Sequence, residues 1–284
     1  MMQHSEGTFN GAGGLKLYYQ SWHPSEQPHG VLVIVHGLGA HIGLFGNVVQ
    51  HLIPCGYAVY GFDLRGHGRS PGQQGYISSW AEFREDLGAL LRLVEKQEPG
   101  CPRFLLGHSV GALIALEYVL RSSGELQGVI ALALALGEVG VSPLKLTLGR
   151  ILSQVWPRFS LDTGINHSAG SRDPAVITAY AQDTLRHTRG TARLVTEFLA
   201  AAAWIQDHAA DLQLPLLILH GDGDKVAPLE ATSAFFDQVT FLDKELKVYP
   251  GVYHEIHNDF NYQEMLADLE DWLERHRNEV MSNE

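Results

Sequence analysis

The pentapeptide Gly107-His108-Ser109-Val110-Gly111 places glycines two positions before and two positions after a serine. This spacing is typical of a sharp strand-to-helix turn that exposes a nucleophilic serine. The apolar Phe104-Leu105-Leu106 precedes the turn, and the helix-forming sequence Ala112–Tyr118 follows it. A helix that begins here would also direct its dipole and a free backbone N–H at the serine. We therefore predict that Ser109 is a nucleophile, the alternative being a tight glycine turn without chemistry.

A nucleophilic serine needs an imidazole that takes its proton. In proteins with this serine motif, the histidine comes last in the chain order and lies in a loop after a strand. The loop after the apolar run Leu246–Tyr249 contains two histidines, His254 and His257. His254 lies nearer the strand, so we predict it as the base. His257 is the alternative, and with fifteen histidines in the chain either one could be an ordinary polar residue.

The imidazole in turn needs a carboxylate that fixes its tautomer. The loop after Leu216–Leu219 contains Asp222 and Asp224 within an Asp-Gly-Asp sequence. We predict Asp224 as the acid, with Asp222 as the alternative and Glu138, after an earlier strand, as a third candidate. The alternative without catalysis is that the Asp-Gly-Asp sequence only forms a turn, since aspartate and glycine are both common in turns.

A glycine-containing loop, His36-Gly37-Leu38-Gly39, follows the apolar run Val31–Val35. We predict that the backbone N–H groups of Leu38 and Val110 stabilise an oxyanion. A dinucleotide-binding loop is excluded because the G-x-G-x-x-G spacing is missing. Three residues next to these donors are predicted substrate contacts: His36, Gly37 and His108.

Short apolar runs alternate with helical patterns along most of the chain, which predicts a doubly wound, mostly parallel α/β sheet covered on both faces. The predicted strands are Thr8–Asn10, Leu15–Trp22, Val31–Val35, Tyr57–Phe62, Arg103–Leu106, Val129–Leu136, Leu216–Leu219 and Leu246–Tyr249. The predicted helices between them are Leu44–Ile53, Trp80–Gln97, Val110–Ser122, Leu229–Val239 and Tyr262–His276.

Residues 137–214 interrupt this alternation, with helical patterns at Ser142–Trp156 and Thr191–His208 and no strand-like run. We predict that this segment is a helical cap over the carboxyl ends of the strands. Residues 1–136 and 215–284 would then form the core. Apolar residues of the cap are predicted substrate contacts, the alternative being packing of cap against core: Leu144, Leu148, Ile151, Leu152 and Trp156.

The formal net charge of −12 disfavours nucleic acid and anionic membranes as partners. Cys55 and Cys101 are predicted to be reduced structural thiols, since they form neither a CxxC motif nor a disulfide framework. We predict no cofactor and no metal, because the histidines of His254-Glu255-Ile256-His257 are three apart instead of four. Without a signal sequence or membrane span, a cytoplasmic location is expected.

The combined motifs resemble the monoacylglycerol lipase and lysophospholipase family of α/β-hydrolases over nearly the whole chain. The segments that carry the resemblance are His36–His41, Gly61–Ser70, Gly107–Gly111, Ser171–His187, His220–Asp224 and Tyr249–Ile256. It implies an α/β-hydrolase fold with an eight-stranded, mostly parallel sheet and a helical cap insertion. It also implies a triad of Ser109, Asp224 and His254, oxyanion donors at Leu38 and Val110, and structural roles for Asp63 and Arg65.

The resemblance implies hydrolysis of medium- or long-chain monoacyl esters, with transient membrane contact through the cap. Two alternatives stay open: a short-chain carboxylesterase, or a ligand receptor of the same fold with little turnover. A perhydrolase or haloperoxidase would share the same triad. Epoxide hydrolases and dehalogenases are disfavoured because they need aspartate where this chain has Ser109.

Overall fold

The computed structural model describes residues 2–122, 124–136, 143–164 and 167–277. The strands of the main sheet are β1 (Gln3–Asn10), β2 (Lys16–His23), β3 (Gly30–Val35), β4 (Tyr57–Phe62), β5 (Arg103–His108), β6 (Leu126–Leu132), β9 (Leu216–Gly221) and β10 (Lys244–Tyr249). These eight strands lie in the spatial order β1-β2-β4-β3-β5-β6-β9-β10. Within this sheet only the pairs β1/β2 and β2/β4 are antiparallel, so the prediction of a mostly parallel eight-stranded sheet is confirmed.

Helices cover both faces of the sheet, which explains why the central strands are almost continuously apolar. Successive side chains of a strand point to opposite faces, and β3 shows this directly. Val31, Val33 and Val35 belong to one buried cluster, whereas Leu32 and Ile34 belong to the other. The helices are α1 (Gly46–Leu52), α2 (Ala81–Gln97), α3 (Val110–Arg121), α7 (Leu229–Gln238) and α8 (Tyr262–Arg277). The first cluster contains residues of α2, α3 and α7, and the second contains residues of α1 and α8.

Two strand boundaries differ most from the sequence prediction. β1 starts at Gln3 instead of Thr8, because its first residues are polar and exposed and carry no apolar signal. β6 ends at Leu132 instead of Leu136, because Ala133 adopts a positive φ of 46° and turns the chain out of the sheet. Leu134 and Leu136 stay buried after this turn, so the apolar run continues beyond the strand.

Between β6 and β9, the described residues form three α-helices, α4 (Pro143–Val155), α5 (Pro174–Gln182) and α6 (Ala192–Asp207). They also form two short antiparallel strands, β7 (Ser160–Asp162) and β8 (Arg189–Thr191). The expectation that no strand would occur here is therefore wrong, since three-residue strands are too short for a visible alternation. α6 packs into the same apolar cluster as α3 through four small or aliphatic side chains: Leu194, Ala201, Ala202 and Ile205.

Candidate active site

Ser109 lies between β5 and α3 in a backbone conformation that non-glycine residues rarely adopt, with φ 56° and ψ −119°. Its N–H donates a hydrogen bond of 2.9 Å to the carbonyl of Leu132 at the end of β6. Such conformations cost on the order of 1–3 kcal/mol and persist only where the surroundings impose them. The serine is therefore held in a strained turn at the carboxyl end of the central strands.

The two glycines of the motif permit this turn because side chains at their positions would meet backbone atoms. A Cβ atom on Gly107 would lie 2.3 Å from the carbonyl oxygen of Gly111. A Cβ atom on Gly111 would lie 2.1 Å from the carbonyl oxygen of Val35. Both separations are far below contact distance, so the close approach of β3, β5 and α3 requires glycine at both positions.

The loop after β3 contacts the serine directly. A Cβ atom on Gly37 would be 3.0 Å from the Cβ of Ser109, so only glycine lets the loop come this close. Within the described residues, the backbone N–H groups of Leu38 and Val110 donate to no other protein group. Val110 is the first residue of α3, where helix geometry leaves N–H groups without an intrahelical acceptor. Two free donors thus belong to the two segments that meet at Ser109.

His254 and Asp224 are brought together from loops that follow neighbouring strands, β10 and β9. The Nδ1–H of His254 donates to Oδ2 of Asp224 at 2.6 Å, and both side chains are buried. With the proton on Nδ1, the neutral ring carries its lone pair on Nε2. The loops interlock through backbone as well, since a Cβ atom on Gly221 would lie 2.1 Å from the carbonyl oxygen of Val252.

The carboxylate of Asp224 is held in one orientation. Its Oδ1 accepts hydrogen bonds from the backbone N–H groups of Val226 at 2.7 Å and Ala227 at 2.9 Å. Burial alone would raise the pKa of Asp224, but the hydrogen bond from His254 and these two N–H groups outweigh it. The pKa of Asp224 is therefore lower than its ordinary value, and the group is ionised at neutral pH.

The alternative residues lie elsewhere. Asp222 is exposed, and its carboxylate accepts from the backbone N–H of Gly251. His257 stacks on Phe45 with ring centroids 4.4 Å apart, and neither of its ring nitrogens bonds a protein group. Burial lowers the pKa of His257 to about 4, so its ring is neutral. Glu138, the third candidate acid, lies outside the described residues.

His36 and His108 both support neighbouring loops, and their contact with substrate stays a prediction. His36 is fully buried; its Nδ1–H donates to the carbonyl of Gly37 at 2.7 Å, and its Nε2 accepts from the N–H of Leu64 at 2.9 Å. Both nitrogens therefore bond the protein, and the ring orients the loop at Gly37. His108 directs Nε2–H to the carbonyl of His254 at 3.1 Å and thereby supports the histidine loop.

The segment after β4 supports this arrangement, in line with the structural roles that the family resemblance implied. Asp63 accepts from the N–H of Ile42 at 2.8 Å and from that of Arg69 at 2.7 Å. Arg65 forms two hydrogen bonds with the buried carboxylate of Asp86, at 2.7 and 2.8 Å. These charge-assisted bonds tie the loops near Ser109 to α2 and the N-terminal hairpin.

Ion pairs between the β6–β9 segment and the core were not predicted from the sequence. Glu255, the neighbour of His254, is buried and pairs with Arg186 at 3.1 Å, while the hydroxyl of Tyr180 donates to it at 2.5 Å. Burial raises the pKa of Glu255, but Arg186 overcomes this effect and lowers it to about 2. Two further contacts connect the same parts of the chain: a hydrogen bond between His41 and Asp183 and an ion pair between Arg172 and Asp259.

The contact of apolar α4 residues with substrate stays a prediction, and two of these residues line a groove. Leu148 and Leu152 line a groove of about 570 Å³ whose described walls come from α4, α6 and the β7–β8 region. Leu148, Ile151 and Trp156 are 63%, 55% and 59% exposed, so packing of α4 against the core does not explain them. Leu144 belongs to α4, but its side chain lies outside the described part of the structure.

An α/β-hydrolase has this order of strands in its sheet, a strained turn at its nucleophilic serine and a histidine–aspartate pair beside it. A family model described as "Serine aminopeptidase, S33" matches residues 26–261. The monoacylglycerol lipase of Mycolicibacterium smegmatis is 34% identical over 274 residues, which cover 96% of this chain and 98% of that protein. The chain therefore belongs to this family of serine hydrolases, and its relatives include monoacylglycerol lipases.

Solved structures agree with this assignment. The crystal structure of Paleococcus ferrophilus monoacylglycerol lipase superposes with a TM-score of 0.83 at 30% identity, over 92% of this chain and 99% of that one. A soluble variant of monoglyceride lipase from Saccharomyces cerevisiae, in complex with a substrate analog, gives a TM-score of 0.84 at 24% identity, covering 94% of each chain. The second likeness concerns the fold alone. No helix among the described residues is both long and apolar enough to cross a membrane.

Proposed function

We propose that this protein hydrolyses monoacylglycerol-type carboxylic esters through an acyl-enzyme on Ser109. His254 takes the Ser109 proton through Nε2 as Oγ attacks the ester carbonyl carbon. The N–H groups of Leu38 and Val110 donate to the oxyanion that forms. The imidazolium, stabilised by Asp224, then gives its proton to the leaving alcohol. Water attacks the acyl-enzyme in the same way and releases the acid.

The observation that carries this proposal is the 2.6 Å hydrogen bond between His254 and Asp224. The His254 carbonyl accepts a hydrogen bond from His108, the residue that precedes the strained Ser109, so the pair and the serine turn are neighbours. A serine strained at a positive φ and a buried, ionised aspartate each lower the stability of the fold. Features of this kind are concentrated at functional sites. The free N–H groups of Leu38 and Val110 add the donors that an oxyanion requires. Each element has a structural explanation alone, but their combination supports acyl transfer.

A monoacylglycerol-type substrate is supported by the names of the relatives and by the apolar surface of the β6–β9 segment. We assign this segment, residues 137–214, as a cap on a core of residues 1–136 and 215–284. The groove that Leu148 and Leu152 line offers an apolar channel for an acyl chain. We also propose that exposed apolar residues of the cap contact a lipid surface transiently, which would make the protein peripheral to membranes: Leu148, Ile151, Val155, Trp156 and Leu161.

The test is hydrolysis of p-nitrophenyl and monoacylglycerol esters from acetyl to stearoyl, by wild type and by Ser109→Ala. We expect activity that is greatest on medium or long chains and is lost in the variant. Ser153→Ala is the matched control, because Ser153 is also buried but bonds Thr196 within the cap at 2.9 Å. Activity on acetyl to butyryl esters alone would make the protein a short-chain esterase. Absence of turnover in wild type would refute the proposal that the protein is an esterase and would favour a ligand receptor of the same fold.

A further inference from the structure

Three side chains of different ligand types converge between α1 and α8, away from the residues assigned to catalysis. They are His51 in α1, Cys55 just after α1 and Glu270 in α8. In the described part of the chain, one possible ligand atom from each lies within 4.8 Å of the other two. Nε2 of His51 and Oε2 of Glu270 are already 2.7 Å apart.

We propose that His51, Cys55 and Glu270 bind a borderline divalent cation such as Zn²⁺. Imidazole nitrogen, thiolate sulfur and carboxylate oxygen are the three donors that Zn²⁺ takes from proteins. Metal–ligand bonds of about 2.0–2.3 Å in a tetrahedron place donor atoms roughly 3.3–3.8 Å apart. Nε2 of His51 and Oε2 of Glu270 must move apart from 2.7 Å, and the sulfur of Cys55 must come closer to both from within 4.8 Å. Side-chain movements of about an ångström are enough for this.

The partial exposure of these side chains lets an ion enter, and their charges balance that of the ion. The side chains of His51 and Glu270 are 29% and 33% exposed, which leaves a fourth coordination position for water. A thiolate and a carboxylate together neutralise a divalent ion, and the thiol proton leaves to solvent. Cys55 forms no disulfide, and its Sγ–H donates to the carbonyl of His51 at 3.2 Å. Burial and the neighbouring carboxylates of Glu270 and Glu274 raise the pKa of the Cys55 thiol to about 11, so the ion itself must displace the thiol proton.

A bound ion would connect two helices that flank the proposed catalytic residues. α1 follows the loop that contains Leu38, and α8 follows the loop that contains His254. Because the ion binds only when both helices are in place, it would stabilise the folded state. We therefore infer a structural metal site, independent of the ester chemistry, which revises the prediction from the sequence that the chain binds no metal.

Cobalt provides the test, because Co²⁺ bound by a thiolate has a near-ultraviolet charge-transfer absorption that other ligands do not give. Titration of the metal-stripped, reduced protein should produce this absorption with one equivalent of Co²⁺. Cys55→Ser should abolish it, whereas His51→Gln and Glu270→Gln should weaken Co²⁺ binding at least about tenfold. Cys101→Ser is the matched control, since Cys101 is the only other cysteine and is also partly buried.

Thermal unfolding gives a second readout that does not depend on ester hydrolysis. Zn²⁺ at a hundredfold excess over its Kd should raise the Tm of wild type and of Cys101→Ser by about 5 °C, and that of Cys55→Ser by much less. Far-ultraviolet circular dichroism checks that each variant folds. The absence of a thiolate band in wild type, or an equal band in Cys55→Ser, would overturn the proposal.

Discussion

The replacement Asp224→Asn tests the geometry of the proposed catalytic pair, because the environment dictates how an amide would orient there. Oδ1 of Asp224 accepts two backbone N–H groups, from Val226 and Ala227. An asparagine must therefore place its carbonyl oxygen at this position and its NH₂ group at the position of Oδ2. That NH₂ group would face Nδ1 of His254, which would have to accept instead of donate.

Consequently the substitution should reverse the tautomer of the imidazole. The proton moves to Nε2, where it blocks removal of the Ser109 proton, and the imidazolium loses its counter-charge. Comparable replacements in serine hydrolases lower kcat by about 10⁴, which corresponds to roughly 5.5 kcal/mol in the barrier. KM should change little, because the buried carboxylate is not expected to contact substrate.

The assay is steady-state hydrolysis of the best ester found for wild type, with Asp222→Asn as the control. Asp222 lies two residues away in the same loop, is exposed, and accepts one hydrogen bond that an asparagine oxygen can accept equally well. We expect the control to retain kcat within about twofold. If Asp224→Asn keeps more than about a tenth of wild-type kcat, or if both variants lose activity equally, the reasoning is refuted.

Three further substitutions test the surroundings of the site. Gly111→Ala should lower the free energy of unfolding by about 3 kcal/mol, because the new Cβ clashes with backbone. Gly149→Ala should raise the free energy of unfolding by about 1 kcal/mol, because its Cβ meets no atom outside its own helix within 4 Å and alanine favours the helix. Arg186→Gln, which removes the cation beside a buried carboxylate, should lower the free energy of unfolding by about 3–5 kcal/mol. Arg275→Gln in an exposed pair should lower it by at most about 1 kcal/mol. Burial lowers the pKa of His67 from 6.5 to about 3, so only the unfolded chain takes this proton between these values. Stability should therefore fall with falling pH by about 1.4 kcal/mol per unit in that window, and less steeply in His67→Asn.

Urea denaturation followed by circular dichroism measures all three effects. Equal stabilities for the two glycine variants would contradict the close approach at the serine turn. An Arg186→Gln protein as stable as Arg275→Gln would show that the Arg186–Glu255 ion pair contributes little. For His67, parallel pH profiles in wild type and variant would mean that this ring does not stay neutral in the folded protein.

The sequence predicted those parts of the site that depend on local pattern. Ser109 is identified by its two glycines and by the change from strand to helix around it. His254 and Asp224 follow from their positions in loops after apolar strands, although the residues alone left His257 and Asp222 open. Those alternatives differ from the chosen pair in burial and in partners, which depend on how the loops fold together.

Other features depend on contacts between distant parts of the chain and have no local signal. Glu255 and Arg186 are ordinary polar residues in sequence, and only the folded chain makes them a buried pair. The end of β6 depends on the backbone turn at Ala133, within a run of residues that are all apolar. Leu148 and Trp156 belong to an amphipathic helix in sequence, but periodicity does not tell whether its apolar face meets protein, substrate or lipid.

The most direct test of the central claim is covalent labelling with a p-nitrophenyl alkylphosphonate. Ser109 Oγ should attack phosphorus and release p-nitrophenolate, leaving a stable phosphonyl-enzyme. We predict that intact-protein mass spectrometry will show one phosphonyl group per chain, that peptide mapping will locate it on Ser109, and that Ser109→Ala will not react. Stoichiometric labelling at another residue, or equal labelling of Ser109→Ala, would contradict the assignment of Ser109 as the nucleophile.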